Sequence, residues 1–163
     1  MKVSATLNST GSPSLFMHGT DALHGDLGAV TKDDVVLCFS NSGNNSETMD
    51  LVRQIQKLNI DLIGITSEKK SYLVEKSDKS IIYNIEKEAC PNNLAPTTST
   101  SIQLLIGDTI AICLMNINGF KTKDFIKFHP SGSLGKKLTL RVEDLVNTNN
   151  IPSISCLLYT SDA

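Results

Sequence analysis

Four groups of residues carry side chains that could do chemistry. The first is Ser40-Asn41-Ser42-Gly43-Asn44-Asn45-Ser46-Glu47, which follows the apolar run Val35-Val36-Leu37-Cys38-Phe39. Met49, Val52, Ile55 and Leu58 then recur at helical spacing, so the polar run joins a strand to a helix. A helix N-terminus has unpaired N–H groups and the positive end of the dipole, which makes this junction a seat for an anion such as phosphate. Ser40, Ser42 and Ser46 would add hydroxyl donors. The competing reading is an ordinary helix cap built from Asn44 and Glu47. The second group, Thr97, Thr98, Ser99 and Thr100, is another hydroxyl cluster at the start of an apolar helix.

The histidines form the third group. His18 and His24 could share one divalent metal or set an imidazole beside a bound sugar, against the competing reading of exposed polar loops. His129 opens His129-Pro130-Ser131-Gly132-Ser133-Leu134-Gly135, a glycine-rich loop without the spacing of a P-loop, which argues against ATP hydrolysis. Carboxylates are the fourth group. Glu88 follows a strand end and would serve as a general base if partial burial raised its pKa. Glu47 has a competing role, stabilising the dipole of its own helix.

The elements that must position these groups alternate. Residues 1–9 read as the end of an amphipathic helix, 14–18 as a short strand and 21–27 as a short helix or turn. The strand at 35–39 and its helix to about 58 are followed by a strand at 62–66, a weak helix at 71–76 and a strand at 80–85. Such alternation predicts a parallel sheet with helices on both faces. Residues 86–97 form a long irregular connection. A helix over 98–119, capped by Thr98 or Ser99, is apolar on most sides and should be buried against a sheet, a helix or a second subunit. A loop is expected within 125–137, and a helical turn at 142–146.

The 163 residues, with a formal net charge of -2, suit one α/β domain with a real core. No region concentrates Lys and Arg, which argues against nucleic acid as a partner. Four scattered cysteines lack metal or disulfide spacing, and Cys38 and Cys113 read as buried thiols, so a reducing cytoplasm is expected. There is no signal-peptide pattern and no uncharged stretch of membrane-spanning length, since Asp108 interrupts the most apolar helix; no membrane partner is expected.

An ordered set of runs resembles the sugar isomerase (SIS) domain, and within it the arabinose-5-phosphate isomerases. The runs are Ser9-Thr10-Gly11-Ser12-Pro13, His18 with Asp21-Ala22-Leu23-His24-Gly25-Asp26-Leu27-Gly28, and Ser40-Asn41-Ser42-Gly43. Lys87-Glu88-Ala89-Cys90-Pro91, Leu94-Ala95-Pro96-Thr97 and His129-Pro130-Ser131-Gly132-Ser133-Leu134-Gly135-Lys136-Lys137 complete it. The resemblance implies a three-layer αβα sandwich with a parallel sheet whose first inner strand is missing. Residues 1–139 would be an N-terminally truncated SIS domain and 140–155 a linker and the start of a CBS region; residues 156–163, which resemble a translated sequencing adapter, read as non-native read-through.

The resemblance also implies interconversion of D-arabinose 5-phosphate and D-ribulose 5-phosphate through a cis-enediol(ate), in Kdo and lipopolysaccharide precursor synthesis. Gly11, Ser12 and His24 would touch substrate, and Ser40, Ser42, Asn45 and Ser46 would hold its phosphate. Thr97, Thr98 and Ser99 join this substrate-binding set. Glu47, Glu88 and His129 match catalytic positions, with Glu88 as the proton-shuttling base, His129 in ring opening and Glu47 assisting; the two glutamates could exchange roles. No cofactor is required, although Zn or another divalent metal at His18 would have a structural or inhibitory place. The partners implied are a phosphosugar and further copies of the chain, as a dimer or tetramer.

Three departures bear on this. The family's Gly-Lys-Ser-Gly turn is absent, and Lys2 lies too far into its helix to replace that lysine. Asn44 and Asn45 stand where Glu and Thr or Ser are usual, and His18-Gly19-Thr20-Asp21 replaces His-Pro-x-Glu. The missing strand would leave backbone groups unpaired and the isolated chain poorly folded or sticky at its sheet edge. The rival readings are a non-catalytic sugar-phosphate sensor and an isomerase of another phosphosugar.

Overall fold

A computed structural model of the protein describes residues 1–129, 136, 140 and 141. The chain divides into two compact units, Met1–Phe120 and Lys121–Ala163. In the first unit a parallel sheet in the order β1-β2-β3 is built from β1 (Val35–Phe39), β2 (Asp61–Thr66) and β3 (Lys79–Ile82). The register sets Val36 beside Leu62, Phe39 beside Ile65 and Thr66 beside Ile82. Helices α1 (Lys2–Ser9), α2 (Gly19–Leu23), α3 (Ser46–Lys57), α4 (Tyr72–Lys76) and α5 (Thr98–Ile117) accompany the sheet, with a 3-10 turn at Asp26–Ala29. The α/β class and the parallel sheet agree with the sequence reading.

Helix α3 buries Val52 and Ile55 completely, three residues apart on one face, against Cys38, Ile60, Leu62 and Leu73. It stops at Asn59, whose φ of +53° is a conformation Asn tolerates well, and the chain then turns into β2. This βαβ unit is what aims residues 40–47 at the C-terminal edge of the sheet.

Among the described residues β1 is paired on one side only. Beyond its other edge lies a cavity of about 1220 Å³, walled by β1, α1 and residues 12–18. Its volume exceeds what a small-molecule site usually needs, and every residue of β1 lines it.

Several expectations are corrected. Residues 14–18 form no strand, because the Ser14 carbonyl accepts bonds from Ser4 Oγ and Asn8 Nδ2 while its N–H donates to Asn8 Oδ1. The segment is thus tied to α1 rather than to the sheet. Strand β3 ends at Ile82, three residues short of the expected end. In the second unit, a helix α6 (Thr122–Phe128) occupies sequence partly read as loop, its first turn held by Asp124 accepting the Lys121 N–H. The expectations for 130–135 and for 142–163 lie outside the described residues.

Within this chain α5 packs on another helix, one of the expected arrangements, but leaves much of its apolar surface exposed. Of its residues only Ser99, Gly107 and Ala111 are buried, while Leu105, Ile112 and Ile117 are 66%, 51% and 78% exposed. Cys113, expected inside, is exposed as well. Length and composition would let α5 cross a membrane. It instead lies along α1, where Lys2 pairs with Asp108 and Thr6 Oγ1 donates to the same carboxylate at 3.2 Å. A Cβ at Gly107 would run into the Val3 side chain. Gly107→Ala should therefore lower the melting temperature, by an overpacking cost of about 1–3 kcal/mol. Adding Val3→Ala should recover most of that loss; no recovery would remove this contact as the reason for the glycine.

Candidate active site

The turn between β1 and α3 is braced from beneath. Ser40 is 8% exposed, and its Oγ accepts the Gly43 N–H at 3.1 Å and the Thr48 hydroxyl at 3.2 Å. Gly43 has φ +61°, and a Cβ there would lie 2.6 Å from Ser71 Oγ. Asn45 is the N-cap, with its Oδ1 accepting the Thr48 N–H at 2.8 Å. The expected Asn44–Glu47 cap is therefore corrected: Asn44 Oδ1 accepts the Tyr72 N–H and holds α4 instead. Ser42 Oγ accepts the Asn44 N–H at 3.3 Å.

With Thr48 capped, the amides of Ser46 and Glu47, at N1 and N2, lack intrahelical acceptors by helix geometry. Two amides, the Ser42 and Ser46 hydroxyls and the Asn45 NH2 can converge on a tetrahedral oxyanion. Gly43→Val should raise the dissociation constant for inorganic phosphate at least tenfold, since it combines a left-handed backbone costing roughly 1–2 kcal/mol with a clash on Ser71. Phosphate binding at the wild-type level would show that the turn's shape is not what binds.

Of the residues singled out in the sequence, the cavity wall carries Ser12, His18, Ser40, Asn45, Glu47 and Thr100, together with Asn41 of the Ser40-Asn41-Ser42-Gly43 run. Ser12 Oγ is buried there with no hydrogen-bond partner among the described residues, an unusual state that a substrate oxygen would relieve. Gly11 has its own reason for being glycine: φ is +89°, and a Cβ would lie 2.6 Å from the Phe120 ring. Glu47 Oε1 accepts the Thr20 hydroxyl at 3.1 Å and lies 3.7 Å from His18 Nδ1. It approaches over Gly19, where a Cβ would stand 2.6 Å from that oxygen.

His18 caps α2, its Nδ1 accepting the Thr20 N–H at 3.3 Å. His24 sits at the opposite cap of this five-residue helix. At 1.5 Å per residue, six steps put the two histidines roughly 9 Å apart along the axis, which does not favour one shared ion. His18 and Glu47 offer two ligand atoms, and among the described residues no three His, Cys, Asp or Glu side chains gather. That pair does not by itself make a four-coordinate zinc site.

Glu88 is placed differently from expectation. Its Oε2 accepts the Thr97 N–H at 2.8 Å, the Thr97 hydroxyl at 3.1 Å and the Ser99 N–H at 3.2 Å. It therefore caps α5 from the preceding loop, and the expected cap by Thr98 or Ser99 is corrected. The Ser99 hydroxyl and then the Thr97 amide pull its pKa down to about 2, with desolvation opposing. The expected upward shift is thus reversed. The folded pKa lies below the ordinary value of 4.5, so the charged cap stabilises the fold above that value. This contribution fades as the pH falls toward 2. The melting-temperature gap between wild type and Glu88→Gln should accordingly close between about pH 5 and 2; a gap that widens on acidification would contradict the cap.

Cys90, in the same loop, has a thiol whose Sγ accepts the Ala95 and Leu94 amides, which pull its pKa down, whereas burial pushes Cys38 up to about 11. Alkylation followed by peptide mapping should modify Cys90 first and Cys38 last among the described cysteines. In the second unit, His129 stacks on Phe125 at 3.9 Å, and its Nδ1 lies 2.9 Å from the Phe125 carbonyl. A carbonyl only accepts, so Nδ1 carries the proton and Nε2 is the basic nitrogen of the neutral ring.

Sequence reasoning missed Asn41 and Tyr83. Tyr83 Oη donates to Asn41 Oδ1 at 2.9 Å, and the Asn41 carbonyl accepts three bonds from Thr66 and Ser67. The Ser40-Asn41-Ser42-Gly43 run marked the turn, but nothing local marked Asn41 as the residue that anchors it.

The SIS domain family model matches residues 1–113. Among curated relatives, the arabinose 5-phosphate isomerase KdsD of Pseudomonas aeruginosa is 45% identical over 161 residues, covering 98% of this chain and 49% of the relative. The arabinose 5-phosphate isomerase KdsD of Francisella tularensis is 47% identical over 149 residues, 91% of this chain and 46% of that protein. The chain thus spans about half the length of the curated relatives it matches. An Escherichia coli CFT073 protein solved in complex with A5P superposes with a TM-score of 0.76 at 41% identity, covering 79% of this chain and 69% of that one.

Proposed function

Because the chain belongs to the SIS domain family, we propose that it supplies the sugar-phosphate site of an aldose–ketose isomerase interconverting D-arabinose 5-phosphate and D-ribulose 5-phosphate. The observation that carries this reading is the turn at residues 40–48. Ser40 and Gly43 brace it internally, so its remaining donors are free for an anion. The identity to arabinose 5-phosphate isomerases supports the choice of sugar. By the same relationship the protein would act in the cytoplasm, in Kdo and lipopolysaccharide precursor synthesis.

The chemistry follows from acid–base transfer alone. By the family resemblance, His129, with Nε2 basic, would take the proton of the anomeric hydroxyl and pass it to the ring oxygen as the furanose opens. Glu88 is ionised at rest and is held by Oε2, while Oε1 receives none of the three helix-cap bonds. It removes the proton from C2 of the aldose, giving a cis-enediolate; a proton passes from the C2 hydroxyl to O1, and Glu88 returns its own proton to C1 to yield the ketose. Leaving its cap bonds raises its basicity at that step. Glu47, fixed by Thr20, orients the sugar hydroxyls, and Ser12 takes one of them. Thr97, Thr98, Ser99 and His24 would complete the sugar contacts. The exposed apolar residues of α5 support assembly into a dimer or tetramer.

The test is turnover by the protein as its gene encodes it, across several phosphosugars. Conversion of ribulose 5-phosphate to arabinose 5-phosphate in preference to other pairs supports the reading. Tight binding without turnover of any would overturn it in favour of a sensor.

A further inference from the structure

We infer that Tyr83 is a positioning residue for phosphate recognition, acting through Asn41 to fix the turn that carries the anion. The inference rests on the reading of residues 40–48 as the phosphate seat and deepens it. Tyr83 directly follows β3, is 8% exposed, and keeps its N–H in the sheet by donating to the Thr66 carbonyl at 3.1 Å. A buried phenol needs partners, and it has one on each side. Gln103 Nε2, on α5, donates to Tyr83 Oη at 2.7 Å. An amide NH2 cannot accept, so the single phenolic hydrogen is committed to Asn41 Oδ1 at 2.9 Å. Burial raises the phenol's pKa, and the charge of Glu88 adds to this against the Gln103 bond, so the hydrogen stays in place at neutral pH.

Asn41 is thereby clamped at two points. Its side chain is held by Tyr83, and its carbonyl accepts the Ser67 N–H at 3.1 Å, the Ser67 hydroxyl at 2.9 Å and the Thr66 hydroxyl at 2.9 Å. A trans peptide is planar, so a carbonyl fixed toward the end of β2 turns the Ser42 N–H the opposite way. That amide has no acceptor among the described residues, whereas the next one, from Gly43, is spent on Ser40. The clamp thus decides where the first outward-facing donor of the turn points. The line Gln103–Tyr83–Asn41 also joins α5, whose start is capped by Glu88, to the phosphate turn.

Tyr83→Phe, Asn41→Ala and the double variant, made in the protein as its gene encodes it, test this through the dissociation constant of inorganic phosphate and through KM and kcat for arabinose 5-phosphate. Each single variant should weaken phosphate and raise KM about fivefold, the effect of one lost hydrogen bond, with kcat changed by less than about twofold. The double variant should be no worse than either single one, because both break the same clamp. Asn41 is exposed, so its variant gives the readout even if Tyr83→Phe is too unstable to purify. Unchanged phosphate affinity in a folded variant, or effects that multiply, would overturn the inference. If wild type itself binds neither phosphate nor phosphosugar, the phosphate-seat reading fails and the inference with it. Wild-type binding that the variants share fails the inference alone.

Discussion

Glu88→Gln is expected to reduce turnover by about 10²–10⁴-fold, the usual range for loss of a general base. Glutamine nearly preserves the shape of the side chain and can still accept from the Thr97 and Ser99 amides through its carbonyl oxygen. What it removes is the charge and the ability to hold a transferred proton. The melting temperature should also fall at neutral pH, because a charged cap at the start of α5 becomes a neutral one. The two readouts separate two roles. A large loss of kcat with a modest loss of stability assigns proton transfer to Glu88. Full activity with lowered stability would leave it as a cap and pass the transfer to Glu47, whose carboxylate accepts the Thr20 hydroxyl beside His18.

His129→Ala is expected to reduce turnover by a comparable factor, about 10²–10⁴-fold. The informative companion is His129→Asn. Its amide NH2 can still donate to the Phe125 carbonyl, as Nδ1 does, but it has no basic nitrogen. The asparagine variant should therefore be as impaired as alanine. Recovery of activity with asparagine would reduce His129 to a prop for the end of α6 and remove it from ring opening.

Local patterns read well where local forces decide. The apolar run of β1, the amide-rich turn and the spacing of Val52 and Ile55 all point to one strand–turn–helix unit, and each element formed. Readings failed where a distant residue takes over. Ser14 looked strand-like, but Asn8 and Ser4 satisfy its backbone from α1. The apolar run after Ser80 suggests strand to residue 85, but the ladder ends at Ile82, with the Tyr83 N–H making one more bond to the Thr66 carbonyl. A cap sought among the first residues of α5 comes from Glu88, eleven residues before Ser99. The same long-range contact sets the pKa of Glu88, because the Ser99 and Thr97 donors outweigh the desolvation that accompanies them. Apolar composition alone could not tell that α5 meets α1 along one small-residue stripe and leaves Leu105, Ile112 and Ile117 outside.

The claim that this fold carries out phosphosugar isomerisation through an enediolate is tested most directly by following D-ribulose 5-phosphate in D2O by proton NMR with the protein as its gene encodes it. Glu88 is only partly buried, so the proton it carries can exchange with solvent before it is returned to carbon. The expected product is arabinose 5-phosphate with deuterium at C2. No conversion, or a product at C2 that keeps only substrate-derived hydrogen, would contradict it.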